Sequence, residues 1–107
     1  MLSKLRFFRS NNNAELQKLR ESVQPAQWEG LLDAMPGSLR PLPGGTLNLA
    51  FAGRCAGNTP RCFKTHLTEA GRLPLRREAA ILQELYGERL EARSVSTPQR
   101  DWLVMNV

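Results

Sequence analysis

The sequence predicts an α+β domain: an antiparallel sheet of about five strands with one packed helix, preceded by a helical N-terminal extension. Three observations lead there. Apolar residues recur at helical intervals through the first third of the chain. From Ser38 onward the alternation has period two, and one amphipathic stretch, Leu75 to Tyr86, interrupts the strands. The 107 residues suffice for one domain and not for two, so 1–36 reads as the extension and 37–107 as the strand-rich part.

Each element has its own signal. Asn11-Asn12-Asn13 is a loop becoming a helix start: Asn12 as N-cap puts Glu15 at the third helical position, a capping-box spacing. Leu16, Leu19 and Val23 follow at helical intervals. Pro25 suits the first turn of a second short helix carrying Trp28, Leu31, Leu32 and Met35, and Pro36-Gly37 stops it. Leu39 to Leu42 reads as a short strand ending at Pro43-Gly44-Gly45. Leu47, Leu49 and Phe51 alternate with Asn48, Ala50 and Ala52 in the next, and Gly57 to Pro60 is turn chemistry. Arg61 to Leu67 alternates again, with Cys62, Lys64 and His66 on one face. Gly71 to Pro74 is a loop, Gly87 closes the long helix, and Val95 and Trp102 to Val107 are strand-like around a turn at Thr97 to Arg100.

Composition excludes several classes. Apolar residues make up 41% of the chain, an ordinary globular value, and no apolar run approaches the ~20 residues a membrane-spanning helix needs. Fifteen Lys/Arg against ten Asp/Glu give a formal charge of +5. Met1 to Asn13 is a basic run free of acid, with Lys4, Arg6 and Arg9, and no nucleic-acid signature stands out. Cys55 and Cys62 lack metal-ligand partners nearby and flank a turn, which leaves a cross-strand bridge or free thiols in a reducing cytosol. The first residues lack the apolar core of a secretory signal; a basic terminus or a transit peptide remains, and the expected location is cytoplasmic.

Three features carry chemistry. Glu78 falls inside the apolar arc of its helix, among Leu75, Ala79, Leu82, Leu85 and Tyr86. There it needs a cation, or else it sits at the edge of the stripe and reaches water. Lys64 stands mid-strand, so it either lines a cleft or protects an edge strand. Together they make a cross-element ion pair. Gly44-Gly45-Thr46 joins two strands, as an ordinary hairpin loop or as backbone N–H groups converging on an anion; it is not a Walker loop.

The order of these features resembles the N-terminal lobe of protein-kinase-like folds: strand, glycine loop, strand, lysine strand, glutamate helix, strand, strand. More closely, Leu42-Pro43-Gly44-Gly45-Thr46-Leu47-Asn48-Leu49-Ala50-Phe51 looks like the nucleotide loop of the aminoglycoside and choline phosphotransferase family. Arg77-Glu78-Ala79-Ala80-Ile81-Leu82 is similar to its glutamate helix, and Trp102-Leu103-Val104-Met105 to the strand that runs into its hinge. The resemblance covers residues 38–107.

It implies that Lys64 contacts the α and β phosphates of ATP and that Glu78 orients it, the pair forming the catalytic candidates. Gly44, Gly45 and Thr46 would cover the phosphates, Asn48 would brace that loop, and Cys62 would lie above the adenine. Met105, Asn106 and Val107 would offer backbone hydrogen bonds to the base. His66 has no family role and reads as structural. The implied activity moves the γ-phosphoryl group of ATP, with Mg²⁺, to a hydroxyl of a small molecule. No metal ligand is assigned to this chain: the metal-binding and acceptor-positioning carboxylates belong to a C-terminal lobe beyond the hinge, and Glu84, Glu88, Glu91 and Asp101 lack the pattern. By itself this lobe is expected to be inactive, with that C-terminal lobe or another protein as partner. The alternatives are a non-catalytic interaction module and, with least support, a small basic nucleic-acid binder.

Overall fold

The computed structural model describes residues 14–43, 48–87 and 92–106. Helix α1 spans 14–22 and α2 Pro25–Leu32; strands β1 (Arg40–Pro41), β2 (Asn48–Cys55) and β3 (Thr59–His66) follow. Then come α3 (Arg72–Tyr86), β4 (Arg93–Ser96) and β5 (Asp101–Asn106). The strands form one antiparallel five-stranded sheet in the order β1-β2-β3-β5-β4. The α+β class and the antiparallel sheet are thus as expected. Helix α3 carries the chain from β3 to the far edge, where β4 forms. A turn at Thr97 to Arg100, held by Thr97 N–H on Arg100 O at 2.9 Å, then returns β5 to the gap beside β3.

Directly paired residues share a face, so the register sorts the sheet into two sides. One side carries Leu49, Phe51, Phe63, Trp102 and Val104, all buried. Val23, Leu32, Ala34 and Leu39 close over it, with Leu16, Leu19 and Trp28 packed at the margin, so the helical extension and the sheet share one core. Trp102 is its centre, with ring centroids 5.7 Å from Trp28 and 6.0 Å from Phe51. The opposite side carries Asn48, Ala50, Ala52, Cys62, Lys64, His66, Asp101, Leu103 and Met105. Helix α3 covers part of it, over β3, β5 and β4, burying Leu75 and Leu103.

Several boundaries differ from expectation for physical reasons. β1 keeps two residues of the expected four, because Leu39 turns into the core and the ladder ends where Leu42 N–H meets Ala50 O at 2.8 Å. The β2–β3 turn is tighter, over Ala56–Asn58. Gly57 (φ 76°) and Asn58 (φ 63°) both take the left-handed conformation, which reverses the chain quickly and leaves Thr59 and Pro60 in β3. Helix α3 begins at Arg72 and includes Pro74, since N–H groups of a first turn need no intrahelical acceptor. Met35 lies outside α2 and is exposed, as is Leu31. The apolar arc of α3 is also shorter than expected: Leu85 is 69% exposed and Tyr86 52%. Cys55 and Cys62 are free and point to opposite faces of the sheet, which excludes the cross-strand bridge. The capping-box pair at Asn12 and the basic run before Asn13 lie outside the described residues. Among the described residues no helix is long and apolar enough to cross a membrane.

Candidate functional site

Lys64 and Glu78 meet. The Lys64 ammonium donates to both oxygens of the Glu78 carboxylate, at 2.8 and 2.9 Å, from the centre of β3 to the inner side of α3. The local reasons are period and pitch. Alternation along β3 sends Phe63 and Thr65 into the main core and turns Lys64 to the α3 side. On α3, Glu78 lies one turn after buried Leu75 and one before half-buried Leu82, so it faces the sheet. The two side chains are 25% and 36% exposed, which leaves the pair open to solvent from one side.

The neighbours on that side toward β2 are small, while Leu103 and Met105 flank it on β5. Ala50 pairs with Lys64, Ala52 with Cys62 and Cys62 with Met105; all are half-buried, and the main contacts of α3 fall on β5, β3 and β4. Ala50, Ala52, Cys62 and Met105 thus form a floor on the same face of the sheet as the Lys64 ammonium. Burial pushes the Cys62 thiol above its ordinary pKa, opposed by the Lys64 charge and reinforced by Glu78.

Asn48 begins β2 opposite His66, two residues from the floor. Met105 and Asn106 lie within β5, paired with Cys62 and Arg61. The β4 ladder ends at Val104, so the outer edge of Met105 and Asn106 has no strand partner among the described residues. Gly44, Gly45, Thr46 and Val107, with Glu88 and Glu91, lie outside the described residues. No group of three or more His, Cys, Asp or Glu side chains that could hold a metal ion occurs among the described residues.

A second constellation escaped the sequence reading. Asp101, at the start of β5, has a side chain only 3% exposed. One oxygen accepts from Ser96 Oγ at 3.0 Å and faces Arg72 at 3.7 Å; the other is held by Arg76 Nε. Burial alone would raise this carboxyl. The hydrogen bonds from Arg76 and Ser96, with the charges of Arg76 and Arg72, outweigh it and hold the group below the ordinary carboxylate range. His66, buried opposite Asp101, accepts the Asp101 backbone N–H at Nε2 (2.9 Å) and meets Thr68 O at Nδ1 (2.8 Å). Only the neutral ring with its proton on Nδ1 satisfies both contacts. Its expected structural role is what the geometry provides. Arg100 completes the cluster through Thr65 Oγ1 and His66 O, with its guanidinium 5.9 Å from the Trp28 ring centroid. The available signal was an acid beginning an apolar strand, where turn residues are common enough to hide it.

No family model matches the chain, and neither curated proteins nor solved structures yield a match.

Proposed function

We propose that this chain is the nucleotide-gripping lobe of a kinase-like phosphotransferase, which moves the γ-phosphoryl group of ATP to a hydroxyl of a small molecule. The single observation that carries the reading is the Lys64–Glu78 pair. Kinase-like enzymes place a lysine on their third strand and a partner glutamate on the next helix, so that the ammonium is held ready for phosphates. Here the lysine is on β3 and the glutamate on α3, with two strands following.

Supporting it is the floor of Ala50, Ala52, Cys62 and Met105, which fits a purine ring placed with its phosphates toward Lys64. In this reading Lys64 binds the α and β phosphates, Glu78 keeps the ammonium from swinging into solvent, and the outer edge of Met105 and Asn106 meets the base. The Mg²⁺ that the resemblance implies would neutralise phosphate charge, with its carboxylate ligands supplied by the C-terminal lobe and none by this chain.

Titration of the chain with Mg-ATP tests this against Lys64→Ala. Removing a charge-assisted phosphate contact should weaken binding by roughly tenfold or more. Equal affinity in the two proteins sinks the phosphate role. A second reading, an interaction module without catalysis, draws on the exposed apolar side chains of α3: Leu73, Ile81, Leu85 and Tyr86. Absence of nucleotide binding in both proteins would favour it.

A further inference from the structure

We propose that Asp101 is a positioning residue for the nucleotide site: by holding Arg72 and Arg76 it seats α3 on the sheet at the height where Glu78 meets Lys64. The proposal rests on the nucleotide-lobe reading for its purpose, and on the following geometry for its substance.

Leu75 is the only fully buried residue of helix α3, and Ala79 and Leu82 are half-buried. Leu75, Ala79 and Leu82 supply an apolar seat that resists sliding only weakly, because apolar contacts have no preferred direction. Directional contacts come from the first two turns. Arg76 engages both oxygens of Asp101, and Arg72 faces one of them while donating to Thr97 O (3.1 Å) and Pro98 O (3.2 Å) in the β4–β5 turn. Arg76 precedes Glu78 by two residues, and the Lys64–Glu78 bond joins the same helix to β3.

Asp101 is itself fixed at both ends. Its N–H is taken by His66 Nε2, its O accepts from Thr65 Oγ1 at 2.7 Å, and Ser96 Oγ holds its carboxylate. His66 and Thr65 follow Lys64 directly on β3. The chain of contacts from Lys64 along β3, across to Asp101, through Arg76 and down α3 to Glu78 is therefore a closed ring of short links. A link lost at Asp101 leaves Glu78 attached to a helix with one polar anchor fewer.

The test compares the intact chain with Asp101→Asn and Asp101→Glu, reading side-chain NMR contacts between the Lys64 ε-methylene and the Glu78 γ-methylene without nucleotide. Asp101→Asn should lose most of that cross-peak intensity while the sheet cross-peaks of Phe51, Phe63 and Val104 persist, and Asp101→Glu should restore part of it. Should Asp101→Asn fail to fold, Arg76→Gln gives the same readout, because Arg76 is half exposed and its loss leaves the core intact. Undiminished Lys64–Glu78 contacts in a folded Asp101→Asn or Arg76→Gln chain would overturn the proposal. Because the readout needs no ATP, a failed nucleotide titration would count against the function and leave this result standing.

Discussion

Acidification should destabilise the domain through His66, the only histidine in the chain. In the fold its Nε2 accepts a buried backbone N–H and its Nδ1–H points at Thr68 O, so a second proton would set one donor against another at 2.9 Å. Burial is the largest effect and lowers its pKa; the Thr68 carbonyl opposes it, the charges of Arg100 and Arg72 add to the lowering, and Asp101 opposes it least. A group whose folded pKa is depressed is neutral in both states at high pH and takes up its proton first in the unfolded chain. Stability is therefore complete above about pH 6.5, the ordinary imidazole value, and declines as pH falls toward the folded value. The cost is that of one buried hydrogen bond with its donor left unsatisfied, about 1–3 kcal/mol. Guanidinium unfolding from pH 8 to pH 5 measures it, with at most one proton taken up on unfolding. His66→Gln should be less stable at pH 8 and nearly flat over the same window. A wild-type stability that rises on acidification, or an equal slope in His66→Gln, would refute the reasoning.

Other consequences concern the core. Gly53→Ala should cost about 1–2 kcal/mol despite the usual benefit of removing a glycine, because strain from overpacking exceeds the gain in chain stiffness. Its Cβ would stand 2.6 Å from Leu39 Cδ2 and 3.0 Å from Phe63 Cε2, and both neighbours are buried; a denaturation midpoint at or above wild type would contradict this packing. Trp102→Ala should cost about 3–5 kcal/mol and Trp28→Ala clearly less, since Trp102 is 1% exposed at the centre of the core and Trp28 only half-buried at its margin. Equal losses in urea unfolding would mean that the helical extension is bound as tightly as the sheet.

Local signals gave the element types here because period and turn chemistry act over a few residues. Alternation placed β2 and β3, the strand-like stretch after the Thr97 to Arg100 turn placed β5, and Gly87 at φ 52° closed α3 as a glycine past a helix end does. Boundaries drifted where a single residue has two permitted uses. Pro74 reads as a helix breaker in sequence and is harmless in a first turn, and Pro60 reads as a turn yet is the second residue of a strand. The buried arc of α3 is shorter than its periodicity predicts for another reason. Periodicity shows which side chains align, not how far the sheet beneath them extends, and Leu85 and Tyr86 are left facing outward.

The candidate site divides along the same line. Lys64 and Glu78 could be singled out because each breaks a local rule, an ammonium amid a strand and a carboxylate inside an apolar arc, and one contact repairs both. Asp101 breaks no local rule. It becomes unusual only once β5 lies between β3 and β4, which sets it opposite His66, 35 residues earlier, and beneath Arg76, 25 residues earlier. That strand order is not written in any window of the chain. It follows from α3 crossing to the far edge before the sheet closes, so the residue that ties α3 down can be found only after α3 has been placed.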